Sequence, residues 1–319
     1  MPSPLSTPSR GRRVLVTGHT GFRGSWLCEW LVSLGAEVTG LALDPATQPA
    51  LYDQLNLSAR LHDHRGDIRD AALVLDVVKR TRPEFVFHLA AQADVQTSVR
   101  RPAFDADVNV VGTVRVLEAA HAAGARVVFS STGGAIYGEC DGPAEEGSPL
   151  RPESPYGIAK LCGEAYLAGW NRMHGTGHVV LRFANVYGPR QDARLEGGVV
   201  SIFLERMLRG EETIVFGDGR QTRDFVYVGD VVVALLAAAA HDGGVFNVGT
   251  GQETSVVDLH RLCAAVARPD ATPRFEPART GDVLRSVLDV SHTGRELGWQ
   301  AAVELTDGLA RTWAWLAQE

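Results

Sequence analysis

The chain has 319 residues and a net charge of −7, and 45 % of its residues are hydrophobic and 22 % charged. This composition is typical of globular enzymes and excludes the collagen-like, disordered and coiled-coil classes. The acidic balance argues against broad binding to nucleic acid or to an anionic membrane, because both need an excess of basic residues. Only two of the 31 basic residues are lysines, Lys79 and Lys160, so we weigh each lysine separately.

The cysteines and the N-terminal segment indicate a cytoplasmic protein. The four cysteines lack C-x-x-C spacing, so zinc and redox motifs are absent and free thiols are expected. The first 13 residues lack the apolar segment of a signal peptide, and their Pro and Ser content predicts a flexible tail over residues 1–11. The chain has no apolar run of about 18 residues, so no membrane span is predicted.

The first elements read as strand, glycine turn, helix and strand. Val14–Val16 is a short β-branched run, residues 24–34 have helical spacing, and Gly35 ends that helix. Glu37–Leu43 is the next strand. The alternation then repeats, with helices predicted over 70–81 and 105–123 and strands over 83–91 and 125–134. Continuously apolar strands alternating with helices predict an α/β fold, a Rossmann-type doubly wound parallel sheet.

The second half begins with a helix near Ser154 and Pro155, followed by a strand over residues 178–188. A polar, glycine-rich loop covers 188–198, and residues 223–240 resemble a strand and helix returning to the sheet. The last third consists of short elements, as expected of a smaller C-terminal lobe. His62 and His64 are interpreted as loop residues, His88 as a strand-end residue facing a polar partner, and Glu145 and Glu146 as solvated acids. No metal site is predicted.

Three glycines, Gly18, Gly21 and Gly24, lie between the first strand and the first helix. The first permits a tight turn, the second lets the backbone approach a pyrophosphate, and the third lets helix and strand pack closely. The helix N-terminus then presents free N–H groups and a positive dipole end to the phosphates, beside Phe22 and Arg23. This context predicts a dinucleotide-binding turn.

The residue that binds the adenosine ribose is less clear. An acid at the end of the second strand usually holds the ribose of NAD, and Asp44 is the candidate, 26 residues after Gly18. Alternatively, Asp44 caps a turn with Pro45. Arg23 leaves NADP open as a second cofactor.

A catalytic group is indicated by Tyr156 and Lys160, four residues apart on one helix face, after a strand ending at Thr132. A tyrosine near its free pKa of about 10 is a poor base at neutral pH. A lysine ammonium and a nicotinium charge would favour the phenolate, while the Thr132 hydroxyl hydrogen-bonds a substrate oxygen. Such a trio removes a hydroxyl proton while a hydride leaves the same carbon for NAD.

Many segments beyond residue 12 resemble the extended short-chain dehydrogenase/reductase superfamily, specifically its nucleotide-sugar epimerase/dehydratase branch. The supporting strings are TGHTGFRG, GDIRD, FHLAAQADV, NVVGT, FSSTGGAIYGE, SPYGIAK, RFANVYGPRQ, FGDGRQTRDFVYVGDV, FNVGTG and RTGDV. The N-terminal half is similar to CDP-glucose 4,6-dehydratases, and later segments are similar to short bacterial UDP-glucose 4-epimerases. Dehydratases of this branch carry acidic or lysine side chains after the threonine, where this chain has Gly133, Gly134 and Ala135. The resemblance therefore favours epimerisation at C4.

The resemblance implies a cofactor site made of Asp67, Ile68, Leu89, Ala90, Ala91, Asn109, Ser130 and Phe183, together with Tyr156 and Lys160. Asp67 and Ile68 would lie against adenine, and Phe183 would approach the nicotinamide. The family's ribose-binding acid falls at Ala42, two places before Asp44, which weakens the assignment of Asp44 more than that of NAD.

The resemblance also implies a substrate site made of Thr132, Tyr156, Asn185, Val200, Phe216, Arg223, Arg279 and Asp282. Arg223, Arg279 and Asp282 would contact the diphosphate and ribose, since guanidinium groups hold such oxygens well. Val200 and Phe216 would form the wall of a uracil pocket. Ser286 is small where the family sets the room around the sugar C2 group, so an N-acetyl group would fit.

Together these observations predict an NAD-dependent nucleotide-diphosphate-hexose 4-epimerase. UDP-glucose and UDP-galactose are the first substrate choice, with UDP-N-acetylglucosamine and UDP-glucuronate as alternatives. An NDP-glucose 4,6-dehydratase and a catalytically silent NAD-binding regulator are the rival functions. The predicted NAD-binding domain comprises 12–184 and about 223–250, and the substrate lobe comprises about 185–222 and 251–319. A homodimer through the helices near 105–123 and 155–171 is expected from the resemblance.

Overall fold

The computed structural model describes residues 10–48, 50–194, 198–278 and 283–318, to which all statements below refer. The strands are β1 (Arg13–Thr17), β2 (Glu37–Ala42), β3 (His62–Arg65), β4 (Phe85–His88), β5 (Arg126–Thr132), β6 (Val179–Phe183), β7 (Asn185–Tyr187), β8 (Ile214–Phe216), β9 (Thr222–Arg223), β10 (Phe225–Tyr227), β11 (Val245–Val248), β12 (Thr254–Ser255), β13 (Arg274–Glu276) and β14 (Arg285–Ser286).

The helices alternate with these strands through most of the chain. They are α1 (Phe22–Ser33), α2 (Leu51–Gln54), α3 (Ala71–Thr81), α4 (Val95–Arg100), α5 (Pro102–Ala106), α6 (Gly112–Ala123), α7 (Gly133–Ile136), α8 (Pro155–His174), α9 (Val199–Leu208), α10 (Val228–Ala239), α11 (Val256–Ala267), α12 (Ser291–Leu297) and α13 (Leu305–Leu316). Within the described ranges, none of these helices combines the length and the apolar character that crossing a membrane requires.

A seven-stranded parallel sheet forms the centre of the molecule, in the order β11-β6-β5-β4-β1-β2-β3. The strand order reverses direction between β1 and β4, and ligands of doubly wound sheets bind at that point, beyond the carboxyl ends of the strands. The predicted Rossmann-type fold class is therefore confirmed.

Both faces of the sheet are covered by helices. Val14 and Val16 of β1 belong to the apolar cluster that includes α1 and α10, whereas Leu15 belongs to the cluster of α3, α6 and α8 on the other face. Side chains of a strand alternate between faces, so a run apolar at every position is what two buried faces require. A third apolar cluster joins α9, α11 and α13 beside the sheet.

The strand predicted over residues 178–188 is two strands with different partners. Ala184 donates its backbone N–H to Val248 of the central sheet, and the next residue, Asn185, donates to Asp224 instead. From there β7 pairs with β10 in a separate two-stranded sheet. The prediction that the strand near residue 225 returns to the central sheet was therefore wrong, and β11 takes the edge position.

Three further predictions meet the structure differently. His62 and His64 lie in β3, an edge strand paired with β2, and not in a loop. The helix predicted over 105–123 contains a π-helical turn over Asp107–Val111. Glu146 is half-buried rather than solvated, because its carboxylate accepts from the backbone N–H of Asn247 at 2.8 Å, whereas Glu145 is exposed.

The buried imidazole of His19 packs the glycine turn against β2 and β3. The His19 ring is fully buried and its Nε2 lies 2.8 Å from Asp63 Oδ1 of β3. Gly40 of β2 makes room for it, since a Cβ at Gly40 would lie 2.4 Å from the ring. The turn and the strands beside it are thus packed as one unit.

This packing predicts that Gly40→Ala lowers the free energy of unfolding by about 1–3 kcal/mol, as overpacked cores do. The control is Gly169→Ala in α8, where a Cβ would meet no atom within 4 Å. That change should raise the free energy of unfolding by roughly 0.5–1 kcal/mol, because alanine has the higher helix propensity. Urea unfolding of both variants checks the pair, and a neutral Gly40→Ala would contradict the packing argument.

Candidate active site

The glycine turn has the close contacts that its three glycines predict. Gly18 has φ +77°, and a Cβ there would lie 2.7 Å from the backbone nitrogen of Ala90. A Cβ at Gly24 would lie 2.1 Å from the carbonyl oxygen of Gly18. Gly21, the N-cap of α1, is less crowded and has no side chain over the first turn. The turn therefore leaves a cradle at a helix N-terminus, which suits a pyrophosphate.

The predicted catalytic trio comes together at the carboxyl end of β5. Thr132 is the last residue of β5, and α8 begins at Pro155, where Ser154 Oγ accepts from the Gly157 N–H at 3.2 Å. Lys160 Nζ donates to the Ser130 carbonyl at 2.8 Å and lies 6.0 Å from the centroid of the Tyr156 ring. The lysine thus fixes α8 against β5 beside the tyrosine.

A cavity of about 230 Å³ opens beside this trio. Its walls come from the ends of β5 and β6, from α8, and from the segments after β4 and before α9. They include Arg23, Ala93, Val95, Thr132, Tyr156, Phe183, Asn185, Gln191 and Arg223. Sequence reasoning did not find Ala93, Val95 or Gln191, because no residue type among them signals chemistry.

A second cavity, of about 540 Å³, shares Asn185 and Arg223 with the first. Phe216 lines it, as predicted for a base pocket, and Val199 contributes from α9. Val200 does not line this cavity: it is 1 % exposed and packs in the core of α9, α11 and α13. Successive helical residues point about 100° apart, so a one-residue difference in register exchanges the two valines.

Arg223 stands where the two cavities meet. Its Nη1 donates to the Thr222 carbonyl at 2.7 Å, which orients the guanidinium. A planar cation between a small and a larger cavity suits a diphosphate that joins a sugar to a nucleoside. Arg279 and Asp282, predicted to complete this site, lie outside the described residues.

Comparison with known proteins agrees with this geometry. Residues 14–249 match the model of the NAD dependent epimerase/dehydratase family. A UDP-glucose 4-epimerase of Mycolicibacterium smegmatis is 46 % identical over 94 % of this chain and 97 % of its own. The crystal structure of a UDP-glucose 4-epimerase with UDP-glucose from Thermotoga maritima superposes with a TM-score of 0.91, at 44 % identity, covering 96 % of this chain and 98 % of that one.

A second solved structure contains NAD. It is the UDP-glucose 4-epimerase of Thermus thermophilus in complex with NAD, with a TM-score of 0.88 and 39 % identity, covering 95 % of this chain and 98 % of that one. The chain belongs to the NAD dependent epimerase/dehydratase family. The family resemblance and the NAD cofactor predicted from the sequence are thereby confirmed.

Arg23 reaches from the glycine turn across to the strand ends. Its Nη1 donates to Ser130 Oγ at 3.2 Å, and its guanidinium lies 5.6 Å from the centroid of the Phe183 ring. The cation therefore lies between the glycine turn and the predicted catalytic lysine. The sequence placed Arg23 at the turn, but its reach to Ser130 and Phe183 depends on the tertiary fold.

The adenosine side of the site has an unusual arrangement of charges. Asp44 follows β2, its side chain is 89 % exposed, and its Oδ1 lies 3.9 Å from Arg65 Nε. Ala42, at the position of the family's acid, is buried. Asp67 accepts a 2.7 Å hydrogen bond from Arg69, and that hydrogen bond, together with the smaller effect of the guanidinium charge, holds the pKa of Asp67 below its usual range. The role of Asp44 toward the ribose stays a prediction.

The remaining predicted cofactor residues lie in several different surroundings. Ile68 is buried and packs against Gly112, while Phe22 is buried with Leu51 and Val228. Asn109 holds the segment after β4: its Oδ1 accepts from the Gln92 N–H at 3.0 Å, and its Nδ2 donates to the Gln92 carbonyl at 2.9 Å. Asn109 thus positions the backbone that follows Leu89, Ala90 and Ala91.

A larger concavity, of about 1120 Å³, lies at the amino-terminal ends of the central strands, opposite the candidate active site. Its cations are Arg12, Arg13, Lys79, Arg82 and Arg126. They stand near the C-terminal ends of α3 and α6, whose partial negative charge they complement, and three of them, Arg12, Arg13 and Arg126, already pair with carboxylates. None of the predicted catalytic or binding groups is there, so its volume does not mark the active site.

Burial controls the charges beneath the trio. It lowers the pKa of Lys160 to about 7, with the Arg23 charge acting in the same direction and the carboxylates of Asp105 and Glu164 in the opposite one. Burial and, to a smaller extent, Lys160 lower the pKa of His88 to about 3. The neutral His88 ring lies between Thr17 Oγ1 at 2.7 Å and Thr113 Oγ1 at 3.0 Å, which confirms the predicted polar partner.

The depressed pKa of His88 predicts an acid-sensitive fold. Between about pH 6.5 and pH 3, His88 is protonated in the unfolded chain but neutral in the folded chain. The free energy of unfolding therefore falls as the pH drops through this window. His88→Gln keeps polar atoms for both threonines but removes the titration. Urea unfolding at pH 7 and pH 4.5 should therefore show a smaller acid loss for this variant than for the wild type.

The matched control for that experiment is His62→Gln, at an exposed imidazole of β3. It should leave the acid loss as in the wild type. An equal acid loss in His88→Gln and the wild type would contradict the assignment.

Proposed function

We propose that this chain interconverts UDP-glucose and UDP-galactose by NAD-dependent epimerisation at C4. It is an isomerase of the family to which it belongs. The observation that supports this most strongly is the trio of Thr132, Tyr156 and Lys160 beside a small cavity that opens at Arg223 into a larger one. A sugar next to the trio and a nucleotide beyond the guanidinium would occupy these two spaces. UDP-glucose is also the ligand named for the T. maritima enzyme.

In this mechanism Tyr156 removes the proton of the 4-hydroxyl. Lys160, whose pKa burial lowers to about 7, favours the phenolate when it is protonated, because an opposite charge stabilises the ionised form. The Thr132 hydroxyl hydrogen-bonds the same sugar oxygen and orients it. The redox chemistry at C4 is that of NAD, which acts as hydride acceptor and donor.

Inversion at C4 requires the resulting 4-ketose to present its other face before it is reduced. Arg223 would hold the diphosphate during this turn, and Phe216 would hold the base. The small residues Ala93, Gly134 and Ala135 along the cavity place little bulk beside the hexose. Tyr156 then returns the proton to the oxygen, so the reaction needs no net proton donor.

Dehydration is the second candidate reaction, and the segment after Thr132 argues against it. Expulsion of water between C5 and C6 needs an acid and a base near those carbons. The three residues that follow Thr132 are Gly133, Gly134 and Ala135, none of which transfers a proton. A catalytically silent regulator would have no need for a buried lysine beside a tyrosine at the strand ends.

The reaction predicts that the purified protein converts UDP-glucose to UDP-galactose without added cofactor, followed by chromatography of the nucleotide sugars. Tyr156→Phe removes only the proton-accepting oxygen and should lower kcat by about 10²–10⁴-fold while nucleotide binding persists. UDP-N-acetylglucosamine and UDP-glucuronate belong in the same assay, because Ser286 is small and pairs in register with Arg223.

A wild-type protein inactive on all three sugars would refute the epimerase assignment. Appearance of a 4-keto-6-deoxy product would indicate the dehydratase instead. Full activity in Tyr156→Phe would remove that residue as the base.

We further propose a cytoplasmic homodimer. The four cysteines are free thiols, as in a reducing compartment. Helices α6 and α8 lie side by side, and apolar side chains on and around them are exposed, among them Val99, Val111, Ile158, Tyr166 and Met173 at 40–65 %. Exposed apolar side chains grouped on neighbouring helices favour an interface between subunits.

The dimer predicts that Val111→Glu/Tyr166→Glu behaves in size-exclusion chromatography with light scattering as one 34.3-kDa chain, whereas the wild type has twice that mass. Burying two carboxylates in an apolar interface is too costly for association. The control is Phe275→Glu, at an equally exposed side chain of β13, which should stay dimeric. A dimeric double variant would exclude this face as the interface.

A further inference from the structure

A buried ion pair lies directly behind the catalytic trio. Glu164 of α8 and Arg182 of β6 are 6 % and 5 % exposed, and Arg182 Nη2 donates to Glu164 Oε2 at 2.6 Å. Arg182 Nε donates to both carboxylate oxygens, at 3.0 and 3.1 Å. The carboxylate and the guanidinium are thus both buried, and their hydrogen bonds hold them in a fixed orientation.

Both partners extend this pair to neighbouring segments. Ser131 Oγ donates to Glu164 Oε1. Arg182 Nη1 donates to the Tyr137 hydroxyl at 2.8 Å and to the Glu146 carbonyl at 3.0 Å. The Tyr137 hydroxyl in turn donates to Asn247 Oδ1 of β11 at 2.7 Å. One hydrogen-bonded network therefore joins α8, β5, β6, the residue after α7, and β11.

Each link of the network stands next to a residue of the site. Ser131 immediately precedes Thr132, and Arg182 immediately precedes Phe183. Glu164 follows Lys160 by one helical turn. The network therefore holds the segments that carry the threonine, the tyrosine, the lysine and the phenylalanine. Glu164 and Arg182 do not line the cavity beside the trio, whereas Ser131 does.

Stability alone is a poor reason for such a pair. Removing two charges from water is costly, and well-packed apolar residues of similar volume usually give equal or greater stability. What an ion pair adds is direction, because the planar guanidinium donates along fixed lines. Reactions of bound groups depend steeply on such geometry, and a displacement of about 1 Å is able to cost about 10²-fold in rate.

We propose that Glu164 and Arg182 are positioning residues for the epimerisation, holding Thr132 and Tyr156 in the relative positions that let Thr132 orient the sugar 4-hydroxyl for proton transfer to Tyr156. Through Ser131 the pair fixes the end of β5 against α8, and through Tyr137 it fixes the far end of α7. This inference rests on the proposed function for its kinetic consequences, but its structural consequence, an immobilised end of β5, is independent of the substrate.

The deciding variant is Glu164→Gln/Arg182→Met, which removes both charges while keeping similar volumes. We expect it to fold with a midpoint of thermal unfolding near that of the wild type. Its KM for the nucleotide sugar should change less than about threefold, while kcat falls by about 10–100-fold. Backbone amide hydrogen exchange over residues 130–137 should be faster than in the wild type.

Two further variants make the test specific. Ser131→Ala deletes only the Ser131 hydroxyl, which links the ion pair to the end of β5 beside Thr132. This variant should lower kcat by about 5–10-fold at unchanged KM. Asp76→Asn/Arg80→Met removes an exposed ion pair of α3 in the same manner and should leave kcat, KM and exchange as in the wild type.

A folded double variant with the kcat and the exchange of the wild type would overturn the proposal. If the double variant does not fold, Ser131→Ala decides: an unchanged kcat overturns the proposal and a reduced kcat at constant KM supports it. A wild type inactive on every nucleotide sugar would refute the proposed function instead, and the exchange of residues 130–137 would still decide whether the pair immobilises this segment.

Discussion

The candidate active site depends on a buried hydrogen bond at the end of β5, which the Lys160 side chain donates to the Ser130 carbonyl. Lys160 is 3 % exposed. The hydrogen bond from its Nζ to the Ser130 carbonyl forms only when α8 lies close against the strand. Gly163 permits that approach, because a Cβ there would lie 2.7 Å from the Phe129 ring. Gly157, six residues earlier, permits close approach to α7, since a Cβ there would lie 2.4 Å from the Ala135 carbonyl oxygen. Small residues on α8 thus bring the tyrosine and lysine to the strand ends.

The first half of the fold is predictable because its strands are buried on both faces and its helices are amphipathic. The edge strand β3 is not, since His62–Arg65 contains no apolar residue and is held in the sheet by backbone pairing with β2. The break at Ala184 is equally hidden, because an apolar run has the same composition whether it keeps one partner strand or changes to another. Local sequence carries the period of a strand but not the identity of its neighbour.

The candidate site likewise contains residues that the local sequence predicts and residues that only the tertiary fold identifies. The glycine turn, Tyr156 and Lys160 are recognisable because their spacing is local and each residue type performs a step that others perform poorly. Val199 and Val200 are chemically identical, so only the helix register shows which one lines the cavity. Arg23, Glu164 and Arg182 look like ordinary charges in a chain rich in arginine, and their importance comes from partners more than ten residues away, such as Ser130 and Ser131. Distant pairings of this kind follow from the tertiary fold.

The packing after Thr132 explains why a single substitution there would not supply the acid or base that dehydration needs. A Cβ at Gly133 would lie 2.6 Å from Leu288 Cδ1, and Leu288 is 1 % exposed in an apolar cluster with Ile136 and Tyr137. An acid at this position would have to displace that leucine and bury its carboxyl group among apolar side chains, at a cost that few hydrogen bonds offset. A Cβ at Gly134 would lie 3.4 Å from Asn185 Oδ1, so a longer side chain would crowd a residue that lines both cavities. Gly133 is therefore required by the packing around it, and the same packing leaves no room for a proton-transfer group at the position directly after Thr132.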